Sequence, residues 1–77
     1  GEYRAAIREF QTALAECRAE QIKRPDQQIL RRNEANIRLQ LAAALENEGA
    51  SETAFAEARA ALDVRRKMAA DNPAEYN

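Results

Sequence analysis

Histidine and tryptophan are absent from this chain, and cysteine occurs once. Without histidine, both the imidazole general base and the Cys–His zinc sets are missing. One cysteine cannot close an internal disulfide, so a small fold is denied its commonest staple. Two glycines and two prolines in 77 residues leave few places where the chain can turn or stop. Neither sign of charge dominates: 12 basic and 13 acidic residues are interspersed and sum to −1. That balance gives no field to gather nucleic acid or an anionic membrane. No apolar run approaches the roughly 18 residues of a membrane span, and no signal-peptide pattern opens the chain. With its free thiol, the chain is expected in a reducing cytoplasm. It begins at Gly1 rather than Met and is expected to be a piece of a longer protein.

What is abundant is helix-forming: alanine, arginine, glutamate, leucine and glutamine dominate. A chain of this size buries about 60–65% of its unfolded surface, and one core seldom yields more than about 5 kcal/mol. Stability therefore has to come from helix packing, or from stacking against further protein.

The best-punctuated stretch is GASETAFAEARAALDVRRKMAADNP, Gly49 to Pro73. Gly49 can take the left-handed conformation that closes a preceding helix, and Ser51 is placed to cap the next. Glu52 lies where the dipole favours negative charge, and Arg65, Arg66 and Lys67 lie toward the opposite end. Asp71-Asn72-Pro73 ends the run, because the residue before a proline avoids the helical region. Ala54, Phe55, Ala58, Ala61, Leu62, Arg65 and Met68 recur at spacings of three and four, which makes one side largely apolar.

The first segment repeats this logic. Tyr3, Ala6, Ile7, Phe10, Ala13, Leu14 and Cys17 form an apolar stripe that stops before Pro25, and Glu20 with Arg24 makes an i,i+4 pair. In the middle segment Asp26 is an expected N-cap, and Leu30, Ile37, Leu41, Ala44 and Leu45 form the stripe. Glu34 with Arg38 is its i,i+4 pair. The pattern predicts three helices over 2–23, 27–48 and 51–71, each antiparallel to its sequence neighbour, and no strand.

Sliding the chain by 48 residues brings Gly1 onto Gly49 and Pro25 onto Pro73. Ala6 then meets Ala54, Glu9 meets Glu57, Ala13-Leu14 meet Ala61-Leu62, and Arg18 meets Arg66. The outer segments read as two copies of one helix. Ala54 and Ala61, at matched positions, are expected at close helix–helix contacts.

These residues resemble the tetratricopeptide repeat family. GEYRAAIREFQTAL carries its helix-B pattern with Gly1, Ala6, Phe10 and Ala13-Leu14. The second copy keeps Gly49, Ala54 and Ala61-Leu62, with Ala58 at the aromatic position. Leu41, Ala42 and Leu45 correspond to the end of helix A, whereas Arg38 stands where that helix carries an aromatic. RAALDVRRKMAADNP is similar to the extended repeats of kinesin light chains and of bacterial scaffold proteins. The resemblance implies an all-α solenoid segment: residues 1–25 as the second helix of one repeat, 26–73 as a full repeat, and 74–77 as the start of a further element. Phe10, Phe55, Leu14, Leu62, Leu41 and Leu45 are expected to fill the space between helices. The unpaired ends, around Tyr3, Ile7 and Phe10 and around Val64, Met68 and Tyr76, are expected to expose apolar surface for neighbours or for self-association.

With Ile37, Leu41 and Leu45 turned inward, the other side of the middle helix carries Asn36, Leu39, Gln40, Ala43, Glu46 and Asn47. The resemblance makes these groove positions, where amides beside a small apolar patch suit a peptide or a helix of a partner protein. Leu39, Ala43 and Glu46 do not supply the Lys, Arg and Asn of the family's carboxylate clamp. Arg31-Arg32 and Arg65-Arg66-Lys67 read as solvated charge rather than phosphate contacts, and Cys17 as a small buried hydrophobe. The carboxylates have no motif spacing, so the expectation is an interaction module without catalysis, cofactor, metal, nucleic acid or membrane. The alternative is a structural three-helix bundle that associates with itself or packs within a larger parent.

Overall fold

The computed structural model describes residues 2–71, and these form three α-helices with no strand among the described residues. They are α1 (Glu2–Lys23), α2 (Gln28–Asn47) and α3 (Ser51–Asp71). The expected bounds agree to within one residue at either end of α2. The expected element at 74–77 and the surface around Tyr76 lie outside the described residues.

The first turn is made by Pro25. The Arg24 N–H still reaches the Glu20 carbonyl at 2.8 Å, and Pro25 has no N–H with which to continue the ladder. Below it, the Glu20 carboxylate meets both Lys23 and Arg24 at 3.8 Å. The cap of α2 differs from expectation. Gln27, not Asp26, holds the extended N-cap conformation (φ −84°, ψ 100°), and its side chain makes no cap bond. The turn after Pro25 consumes one residue more than a direct Pro–cap junction would, which leaves Asp26 exposed one position too early.

The second turn is a Schellman closure. Gly49 takes φ +89°, its N–H bonds to the Glu46 carbonyl at 3.0 Å, and the Ala50 N–H reaches back to Leu45 at 2.9 Å. Ala50 packs on the core beside Leu45, which supplies the hydrophobic contact that accompanies this closure. Ser51 is then already the first helical residue, and the Ala50 carbonyl accepts the opening bond, from Ala54 at 2.9 Å. The expected Ser51 cap is therefore displaced by the Gly-Ala turn.

Both turns bring neighbours together antiparallel. Arg4 pairs with Glu48 at 2.9 Å across α1 and α2, and Arg31 pairs with Asp71 at 2.9 Å across α2 and α3. The helices form a slab of 41 × 25 × 15 Å with α2 in the middle, and no Cα of α1 comes within 8 Å of one in α3. The core is Leu41, Leu45 and Ala54, with Ile7, Phe10, Leu14 and Ala50 packed against it. Ala61 and Ala35, both 1% exposed, continue the α2–α3 seam toward Met68. Alanine there lets the helices approach closely.

Three expectations about packing are corrected. Phe55 is 65% exposed and Leu62 47%, so neither fills the interior. Ile7 and Phe10 turn inward instead of forming an outer surface, and Met68 is buried at 2%. The physical reason is rotational: α3 meets α2 along Ala54, Ala61 and Met68, which turns Phe55 and Leu62 about a quarter-turn away.

Candidate functional site

Helical register puts Asn36, Leu39, Gln40, Ala43, Glu46 and Asn47 within an arc of about 120° on α2, and all six are exposed. Behind them, Leu41 and Leu45 anchor the helix in the core. Two of the polar groups are partly engaged. Asn47 Nδ2 donates to the Ala43 carbonyl at 2.9 Å, and Asn36 Oδ1 accepts a long 3.4 Å bond from Arg65. Gln40 and Glu46 project from the same face, and Leu39 is 37% exposed between them.

Grooves flank this face on both sides, and Asn36 borders both. Between α1 and α2 runs a cleft of about 360 Å³ lined by Ala13, Glu16, Cys17, Glu20, Leu30, Asn33, Asn36 and Ile37. Between α2 and α3, a larger one of about 540 Å³ is lined by Arg32, Ala35, Asn36, Leu62, Arg65, Arg66, Met68 and Ala69. It continues toward the Gly49 turn as a recess of about 500 Å³ bounded by Ala42, Ala43, Glu46, Ser51, Ala54, Phe55 and Ala58. The α3 residues here, Phe55, Ala58, Leu62, Arg65 and Arg66, were absent from the sequence-predicted site. In the sequence Phe55, Ala58, Leu62 and Arg65 belong to the stripe read as apolar, and sequence alone does not tell which edge of an amphipathic helix its neighbour covers.

The opposite side of α2 holds a polar network that ties all three helices. Gln21 Nε2 donates to Glu34 Oε1 at 2.8 Å, Arg38 Nε donates to Glu34 Oε2 at 2.8 Å, and Arg38 Nη1 donates to Glu57 Oε1 at 2.7 Å. Glu34 is 8% exposed, so the pair that reads as a surface i,i+4 bridge is an interior one. Burial pushes the Glu34 carboxyl up, but the hydrogen bonds from Gln21 and Arg38 and the charges of Arg38 and Arg18 outweigh it and hold the carboxyl below its usual range. Burial likewise opposes charge on Arg38, and the bonds to Glu34 and Glu57 reverse it, keeping the guanidinium firmly protonated. Nearby, Cys17 Sγ donates to the Leu30 carbonyl at 3.2 Å.

Every carboxylate of the interior network is consumed by a donor. Among the described residues, no group of three or more Cys, Asp and Glu side chains could hold a metal ion. No helix among them is long and apolar enough to cross a membrane. No family model, curated protein or solved structure matches the chain.

Proposed function

We propose that this chain is a segment of a helical-repeat scaffold of tetratricopeptide type, which binds a peptide or helix of a partner protein along the outer face of α2. One observation carries the reading: Asn36, Leu39, Gln40, Ala43, Glu46 and Asn47 are exposed together on the central helix, and a groove flanks that face on either side. Folding spends the other side of α2 on Leu41, Leu45 and the Glu34–Arg38 network. The face itself stays exposed, with the Gln40 amide to pair with a backbone and Leu39 as an apolar contact. The Gly49 closure and the alanine seam between α2 and α3 fit a helical hairpin repeat.

A display library of peptides selected on the chain tests this. Ligands that lose affinity when Leu39→Lys and Asn36→Lys are introduced, while helicity is unchanged, support it. Ligands indifferent to both substitutions move the reading to the alternative, a structural three-helix element. That alternative draws on the exposed Phe55 and Leu62, which suit contact with a second copy or a larger parent, and it predicts a concentration-dependent mass.

A further inference from the structure

The edge of the slab at Pro25 collects charge that the sequence intersperses. There α1 and α3 end and α2 begins. The six residues of each helix nearest this edge, with the turn between α1 and α2, span 18–33 and 66–71 and hold seven basic residues. Against them stand three acids, Glu20, Asp26 and Asp71. The matching segments at the Gly49 edge, 2–7 and 42–56, hold one base against four acids. Two helix C-termini and one N-terminus add about half a negative charge at the Pro25 edge, which the excess of four cations outweighs.

Few of these cations are spent on the fold. Lys23 and Arg24 share Glu20 at 3.8 Å with 73% and 67% of their side chains exposed, and Arg66 and Lys67 have no ion pair among the described residues. The same edge carries Ile22, at 84% the most exposed large hydrophobic residue described, and Ile29 at 51%. Neither packs on the core. Helices stacked on α1 or α3 leave this edge open, because it is made of helix ends and a turn.

We propose that the Pro25 edge docks on the surface of an anionic lipid bilayer. Ile22, with Ile29, enters the boundary between headgroups and acyl chains, and the cations around them meet the headgroups. It is a contact with the surface, since no helix among the described residues is long and apolar enough to cross. The exposed isoleucines decide between lipid and nucleic acid. A polynucleotide would use the cations but not Ile22, and no aromatic side chain lies in 18–33 or 66–71 on which a base could stack. The α2 face plays no part, so this proposal and the peptide reading can fail separately.

Flotation of the 77-residue chain with vesicles tests it. The chain should float with an equal mixture of phosphatidylcholine and phosphatidylserine and stay behind with phosphatidylcholine alone. At about fivefold per cation, Lys23→Gln with Arg24→Gln should weaken binding roughly twentyfold. Ile22→Ser, which leaves the charge unchanged, should weaken it about tenfold. Arg8→Gln, in the Gly49 half of α1, should leave it as it was. Lys23 and Arg24 meet only the half-exposed Glu20, so circular dichroism should show unchanged helicity in every variant. Failure to float with the mixed vesicles overturns the proposal, as does an Arg8→Gln loss equal to that of the double variant. Binding that ignores Ile22, or that a single-stranded oligonucleotide matches, makes the edge a general polyanion site and overturns it too.

Discussion

Arg38 bonds two carboxylates on two different helices while only 12% of its side chain is exposed. Removing it strands Glu34 in the interior. Arg38→Met is expected to cost about 3 kcal/mol in urea denaturation, because the loss leaves a buried charge uncompensated. Glu34→Gln tests the other partner through pH. The Glu34 carboxyl lies below its ordinary value of 4.5 when folded, so in acid the unfolded chain takes up the proton first. Its stabilisation is complete above the ordinary value and is lost as pH falls through the folded-state pKa. Denaturation midpoints followed from neutrality down to about pH 3 should therefore fall less steeply in Glu34→Gln than in the parent chain. The sequence displayed the Glu34–Arg38 spacing but not its depth. An i,i+4 pair looks the same whether its helix lies at the edge or at the centre of a slab, and Gln21 and Glu57 join it only across helices.

Helix existence and span were readable because the stripes and the Pro25 and Gly49 breaks agree with one another. The caps were less so, since each depends on how many residues a turn consumes. The vacant cap at Gln27 gives a way to stabilise α2. Gln27→Ser places a hydroxyl at the extended N-cap position without adding charge beside Asp26, and should raise stability by about 1 kcal/mol, read from the thermal midpoint. Packing between elements was readable where small residues repeat. Ala61 is 1% exposed against α2, so Ala61→Leu should overpack the seam and cost about 1–3 kcal/mol by chemical denaturation. Phe55 and Leu62 show the limit of the same reasoning. Hydrophobicity marked them as interior, but the rotation of α3 is chosen by Ala54, Ala61 and Met68, whose small or flexible side chains fit closer to α2.

For the whole molecule, the governing fact is that α1 and α3 share α2 and do not approach each other. Cooperativity then passes through one helix. Cys17 is the sole buried residue of α1, whereas α2 has five. Amide exchange should accordingly be slowest over residues 34–45 and clearly faster along the first turns of α1, with α1 opening at a lower free energy than the α2–α3 pair. Uniform protection across all three helices would contradict this. The exposed α2 face was legible as a set because a central helix must bury its other side. The α3 contribution to the groove was not, because the sequence alone does not fix which edge of α3 meets α2.

The bond from Cys17 to the Leu30 carbonyl gives the protein a built-in clock. The thiol is unique in the sequence and sits between α1, the helix expected to open first, and α2. A thiol-modifying reagent should react faster when α1 lifts from α2 than through the cleft that Cys17 lines, so the rate of modification should follow that departure. A single mass increment, free of any assignment problem, would follow the motion in the unaltered chain.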